Sequence, residues 1–496
     1  MLTRRTALAS GALASAALAA PLHTLAQGKK DSVTLALTLE PTGLDPTAGA
    51  ASSIAEVTLY NIYETLTKIN ADGSVSPLLA ESWEVSPDLS TYTFRLRRGV
   101  QFQNGEPCNA AAVKFSFDRA GGDKSTNKDK RLFAGLTTRV VDEHTVVLLN
   151  QDIEPDLLFL LGQATAIIVE PKSAEGNATK PVGTGPYQLA AWSRGASITL
   201  AAWPQWRQAA TIKMRRATFR FIPDPAAQVA ALLAGDVDMF ARVTPRSMAQ
   251  FKDNPRFQLI VSGSRAKTIL AINNARKPLS DVRVRRAIAA AIDRKAVIQG
   301  AADGLGVPIG SHYVPGAFGY ADTTGINPYD PEKAKKLLAE ASVMLPLTLT
   351  MTLPPAPYAR QGGEVIAAQL AKVGITVKLQ NVEWAQWLSG TYGAKNYDLT
   401  LISHVEPFDL GNFAKPDYYW GYHSPQFNQL YDKIKNAARP ADRARLLGDA
   451  QRLLAEDAVH VFLYQPQWVT VANKHLRGLW KDMPIFVNDL SALSWS

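Results

Sequence analysis

PLLAESWEVSPDLSTYTFRLRRGVQFQNGEPCNAAAVKFSFDR, residues Pro77–Arg119, holds a strand, tight turns and a helix start in one short run. Tyr92, Phe94 and Leu96 alternate with Thr91, Thr93, Arg95 and Arg97, the period-two pattern of a half-buried strand. Ser86-Pro87-Asp88 makes a turn before it, and Arg98-Gly99 and Asn104-Gly105 break the chain after it. Asn109 then predicts an N-cap for a helix that carries Val113 and Phe117 on one face.

Outward from this stretch the chain reads as mixed α/β. Val33 to Leu39 alternates as a strand and ends at Glu40-Pro41. Asp224-Pro225 predicts a capped helix stopping at Gly235, and Asp281 a helix through Ile298 closed by Gly300. Asp330-Pro331 begins another helix, ending near Ala341, and Pro440 to Asp457 supplies one more. Leu347–Thr352 and Ile375–Leu379 read as strands flanking a helix from Tyr358 to Lys372, a parallel strand-helix-strand unit. No repeat of solenoid period appears.

With 496 residues, 46% of them hydrophobic, the chain has material for two or more domains. Arg4 and Arg5 followed by the Ala-rich run Ala7 to Ala20 predict a secretory signal peptide over residues 1–26. The apolar run, about fourteen residues, is shorter than the roughly twenty a membrane-spanning helix needs. Both the general secretory and the twin-arginine routes accommodate it. Cys108 is the lone cysteine, so no internal disulfide is possible, and it lies too far along the chain for lipidation at a mature N-terminus. The formal charge is +9, or +7 once cleavage near Ala26 removes Arg4 and Arg5. Basic residues are scattered without an aromatic-interleaved stripe, which argues against nucleic acid as a partner.

Five phrases, met in order, carry a resemblance: Pro77–Arg119, Gly183-Thr184-Gly185-Pro186-Tyr187, Ala231–Asp238, Asp281–Ile288 and Ala291–Arg294. Together they resemble the extracytoplasmic solute-binding proteins, family 5, of ABC importers for peptides, nickel chelates and related solutes. The resemblance implies a type II, two-lobed clamshell with an extra subdomain inserted in the first lobe. On that pattern residues 27–66, 181–268 and 466–496 form the main part of lobe I, 67–180 its inserted subdomain, and 269–465 lobe II. Two crossings near Thr268–Asn273 and Val461–Tyr464 would form the hinge. It further implies a monomeric periplasmic protein, free of a lipid anchor and of cofactors, that hands a small polar solute, peptide in the first instance, to a membrane permease and its ATPase.

The segment Ile402–Phe413 is the leading site of ligand contact, because it sets His404, Glu406 and Asp409 in a loop after the strand-like Tyr397–Ile402. In peptide-binding relatives the corresponding loop carries an acid that pairs with the ligand's α-amino group, which the resemblance puts at Glu406 first and Asp409 second. An enclosed ammonium requires a charged hydrogen-bonding partner, and a carboxylate meets that need. Trp384 stands where relatives carry an aromatic near the cleft. Tyr358 and Arg360, at the start of the Tyr358–Lys372 helix, complete the candidate set; Arg360 lies late for the carboxylate-binding arginine of short-peptide binders. Trp387 and the Tyr418–Tyr422 aromatics read as packing residues. His404, Glu406 and His423 suit a transition metal by type but have no compact ligand spacing.

Catalytic motifs are absent: there is no G-x-S-x-G elbow, phosphate-binding P-loop, H-E-x-x-H or spaced cysteine pair. A binder for a metal chelate, opine or sugar, and an enzyme or sensor on the same scaffold, stay open as alternatives.

Overall fold

The 14-residue strand His460–Asn473 organises the molecule. Its sequence, HVFLYQPQWVTVAN, has two buried, mainly apolar runs, Val461–Tyr464 and Val469–Ala472, split by the less buried Pro466-Gln467-Trp468, as expected for a strand covered on both faces at each end. In the computed structural model, which describes residues 30–496 apart from 50, 152 and 244, this strand changes partner halfway along. Phe257–Gly263 pairs antiparallel with it from Asn473 back to Gln467, and Lys267–Ile272 pairs with it from Tyr464 back to His460. The change falls at Ser264–Ala266 opposite Gln465-Pro466, a stretch that pairs instead with the short strand Gly306–Pro308.

On one side of this seam the sheet continues through Met239–Val243, Ser32–Leu37, Arg216–Phe221, Ser197–Ala202 and Tyr187–Ser193. On the other it runs through Leu399–His404, Leu347–Leu353 and Ile375–Asn381. The last two strands are parallel and joined by the helix Pro357–Ala371, the crossover predicted from sequence. Separate apolar cores sit on the two sides, one around Leu35, Tyr63 and Phe219, the other around Leu270, Ile288 and Leu401. The result is the two-lobed α/β clamshell.

The opening stretch builds its own small sheet. Ala80–Val85, Thr91–Leu96, Thr145–Asn150 and Leu136–Asp142 pair antiparallel in that order. Tyr92, Phe94 and Leu96 point into a core that also takes Val113 and Phe117 from the helix Ala110–Gly121. Asn109 caps that helix, its side chain accepting from the N–H groups of Ala111 and Ala112. Cys108 is buried there, and burial pushes its thiol up to about 12, which leaves it unreactive.

Two expectations need correction. The helix predicted from Asp281 through Ile298 is two helices, Val282–Ala290 and Arg294–Ala302, because the Asp293 carboxylate accepts from Lys295 N–H and starts the second. Its stop is Asp303, in a left-handed conformation, while Gly300 lies inside it. The strand before the acidic loop is Leu399–His404, so His404 is its last residue and not part of the loop. The predicted signal peptide, residues 1–26, lies outside the described residues. Among those described, no helix is long and apolar enough to cross a membrane.

Candidate ligand-binding cleft

Residues Val405–Phe408 leave the end of a lobe II strand and face lobe I across a cavity of about 630 Å³. Glu406 and Phe408 line one wall, Lys128 and Gln163 the other, and Trp468 and Phe486 the floor, with Arg265 at the seam. The two floor rings stack at 5.4 Å between centroids, and the Arg242 guanidinium lies 5.1 Å from the Phe486 ring while it pairs with Glu56 at 2.7 Å. A second cavity of about 490 Å³ shares Arg265, Pro407 and Phe408 and is lined mainly by apolar groups, among them Tyr92, Phe159 and Phe318. Aromatic walls with a few convergent charges are the usual make-up of a small-solute site.

The loop is held from beneath by charge. Lys267, on the strand beside Leu399–His404, is 2% exposed and donates to Asp409 Oδ1 at 2.7 Å and to the carbonyl of Glu406. His312 Nε2 lies 2.8 Å from Asp409 Oδ2, and His404 Nδ1 lies 3.4 Å from the same oxygen. His404 Nε2 reaches the Tyr419 hydroxyl at 3.0 Å. Burial opposes ionisation of Asp409, yet His312 and Lys267 hold its carboxyl well below the ordinary range. Burial takes His312 the other way, down to about 4, so it is neutral at pH 7 and donates to the carboxylate through Nε2.

Each sequence candidate can now be placed. Glu406 lines the cavity with its side chain 64% exposed; among the described residues its carboxylate accepts only from the neighbouring Val405 N–H, at 3.1 Å, and lies 3.9 Å from His404 Nδ1. Asp409 is enclosed by Lys267, His312 and His404 and anchors the loop. His404 is buried in the same cluster. Tyr358 accepts a hydrogen bond from Ser403 N–H at 3.0 Å, and burial pushes its phenol up to about 12. Arg360 pairs with Glu383 at 3.4 Å, and Trp384 is exposed with its ring edge-on to Trp387 at 5.9 Å. None of Tyr358, Arg360 and Trp384 lines the cavity at Glu406.

The aromatics read as packing residues do pack: Trp387, Tyr419, Trp420 and Tyr422 are all buried in one core. His423 is exposed, and neither it nor Glu406 belongs to the His312, His404 and Asp409 group, whose ligand atoms lie within 4.8 Å of one another. There the Lys267 ammonium already supplies the positive charge, so the group is an ion-pair core and not an open cation site.

Sequence reasoning did not find Arg265, Trp468 or Phe486. They lie in segments with no ligand-loop signature, and only the folding of the seam brings them to the cavity.

Comparison with known proteins shows the family and the fold. The profile of the bacterial extracellular solute-binding proteins, family 5, middle region, matches residues 74–422. The chain belongs to this family. The glutathione-binding protein GsiB of Salmonella choleraesuis (strain SC-B67) is 29% identical to it, over 95% of each chain. The PBP AgaA from A. tumefaciens R10, solved in complex with agropinic acid, is 27% identical with a TM-score of 0.76, covering 94% of this chain and 99% of its own. HbpA2 from Haemophilus parasuis, 22% identical, shares the fold at a TM-score of 0.86 over 94% of this chain and all of its own. As a family 5 protein the chain is the substrate-binding component of an ABC importer, a transport component with no catalytic role, which delivers solute to a permease and ATPase. Proteins of the family work outside the cytoplasm.

Proposed function

We propose that the solute is a small peptide-like molecule whose free amino group is held by Glu406 between the lobes. The observation that carries this reading is the contrast within one loop: Asp409 is neutralised by its own partners, whereas the Glu406 carboxylate opens into a cavity, with no lysine or arginine paired to it among the described residues and only His404 Nδ1 nearby at 3.9 Å. A desolvated ammonium beside it completes a charge-assisted pair. The likeness to GsiB, named for glutathione, supports a short peptide-like solute. A second reading, a non-peptide acid, draws support from AgaA and its agropinic acid.

Delivery follows from closure. The lobes turn about Ser264–Ala266 and Gln465-Pro466, where the long strand passes from Phe257–Gly263 to Lys267–Ile272, and not at Thr268–Asn273 and Val461–Tyr464 as expected from sequence, because those residues lie inside one ladder; a hinge needs only a few such residues. A solute touching both walls stabilises the shut state selectively. Contacts across the cleft, Phe159 edge-on to Phe408 at 4.9 Å and Arg443 to Asp156 at 2.5 Å, support a closed form ready for a permease. The N-terminal segment 1–26 directs export to the periplasm and is cleaved, leaving an unanchored protein.

Mass spectrometry of solutes retained by protein purified from its natural host, with calorimetry on glutathione and short peptides, tests the reading. Recovery of an amine-bearing peptide whose affinity falls by about 2–5 kcal/mol in Glu406→Gln is expected. Consistent recovery of a solute without an amine, with no heat from any peptide, contradicts it.

A further inference from the structure

Arg265 is a cation set into the seam between the lobes with no hydrogen-bond or ion-pair partner among the described residues. It lies between Ser264 and Ala266, which are 2% and 3% exposed. Ser264 is fixed on two sides: its hydroxyl donates to the Pro466 carbonyl at 2.8 Å, and its own carbonyl accepts from Gln465 Nε2 at 2.6 Å. Ala266 N–H in turn donates to the Ser264 hydroxyl at 3.3 Å. The backbone carrying Arg265 is therefore held on both flanks, as a binding group on a rigid element should be.

The guanidinium itself makes no hydrogen bond or ion pair among the described residues, and it lines both cavities. Tyr313 and Asp482 are the groups whose charge it feels, and their influence does not offset the loss of hydration: burial lowers its basicity. Asp482 instead accepts from the Gly263 N–H at 3.2 Å. The tip of the side chain lies against Gly73, where any Cβ would displace it, so the hairpin turn of the inserted subdomain leaves it room. A half-buried guanidinium with five donors and no acceptor is costly to the empty protein. That cost is offset when an anion enters.

We propose that Arg265 is the anion anchor of the cleft: it receives a carboxylate of the solute, so that the ligand spans from an ammonium at Glu406 to an acid group at Arg265. The inference rests on the ligand cleft described above but not on the ligand's being a peptide. Arg360, which lies late in the sequence for this role, is engaged with Glu383 outside the cavity. The position of Arg265 at the shared wall directs the acid group to the junction of the two cavities and lets apolar substituents extend toward Phe159 and Phe318. Such a solute is a zwitterion or an amino acid derivative carrying at least one free acid.

The test uses the mature protein, its Arg265→Gln variant and Glu406→Gln. Solutes retained from the host are identified by mass spectrometry, and a panel comprising glutathione, Ala-Ala-Ala, agropinic acid and the C-terminal amides of the two peptides is titrated by calorimetry. Arg265→Gln is expected to lose about thirtyfold or more in affinity for the acids, as for loss of a buried charged partner, while Ala-Ala-Ala amide, which has no carboxylate, binds both forms with equal weakness; glutathione amide keeps its γ-glutamyl carboxylate and shows whether that acid is the one received. Its melting temperature without ligand should be unchanged or higher, because an uncompensated cation has been removed, which separates lost recognition from misfolding. The anchor assignment is overturned if the retained solute has no acid group, if Arg265→Gln binds acids as tightly as the parent, or if no acid in the panel binds. An acid that lacks an amine, lost in Arg265→Gln and unaffected in Glu406→Gln, supports the anchor while overturning the peptide reading.

Discussion

Two pairs of opposite charge sit within a few residues of each other and behave in opposite ways. Lys267 and Asp409 meet at 2.7 Å, both nearly inaccessible, with His312 and His404 completing the enclosure. Arg265, two residues before Lys267, and Glu406, three before Asp409, line the cleft and find no such close, enclosed partners among the described residues. The difference teaches that charge in this loop serves two purposes. The closed pair fixes the loop, because each member satisfies the other, whereas the open pair lines the cavity, where the proposed solute would supply the missing counter-charges.

The largest effect should come from breaking the closed pair. Asp409→Ala leaves the Lys267 ammonium buried and uncompensated and is expected to cost about 3–5 kcal/mol in urea unfolding. Glu406→Gln, by contrast, should change unfolding by no more than about 0.5 kcal/mol, since it removes an exposed group. Equal losses from the two substitutions would erase the distinction.

Acid should probe the same core next. The folded value for His312 is about 4 against the ordinary 6.5, so between these limits the unfolded chain binds the extra proton. Its contribution is fully present above pH 6.5, declines as pH falls, and stops declining below about 4; the difference amounts to roughly 3 kcal/mol. His460, also driven down by burial, acts in the same direction. Asp409, held low, loses its contribution only at more acidic pH. Denaturation followed from pH 7 to pH 4 should steepen accordingly, and His312→Gln should flatten the slope. An unchanged slope would show that His312 is not buried neutral.

A smaller effect concerns closure. Arg443→Ala removes the cross-cleft partner of Asp156, whose own acidity is weakened by burial even beside the guanidinium. A loss of about 1 kcal/mol in the closed state, or about fivefold in solute affinity, is expected by calorimetry, with a larger radius in X-ray scattering. Smallest of all, Arg360→Ala and Trp384→Ala should leave affinity within about twofold of the parent, because neither side chain reaches the cavity.

The strands, caps and parallel crossover were legible because they depend on local pattern: the Tyr92–Leu96 alternation and the caps at Asn109, Asp224 and Asp330 all appear where the residues place them. Glu406 was legible as a cavity-facing acid because a motif carries it. The enclosure of Asp409 was not, since Lys267 and His312 lie 142 and 97 residues away in sequence. Arg265 escaped for the same reason, as its isolation is a property of the seam and not of its neighbours in the chain.

A crystal structure of protein purified with its natural solute decides whether Glu406 and Arg265 hold that solute. Solute density is predicted in the cavity between Trp468 and Phe408, with an amine within hydrogen-bond distance of Glu406, an acid group on Arg265, and Asp409 still bound to Lys267. Solute density elsewhere, or a solute held by Asp409 with Glu406 and Arg265 left open to water, would contradict the account.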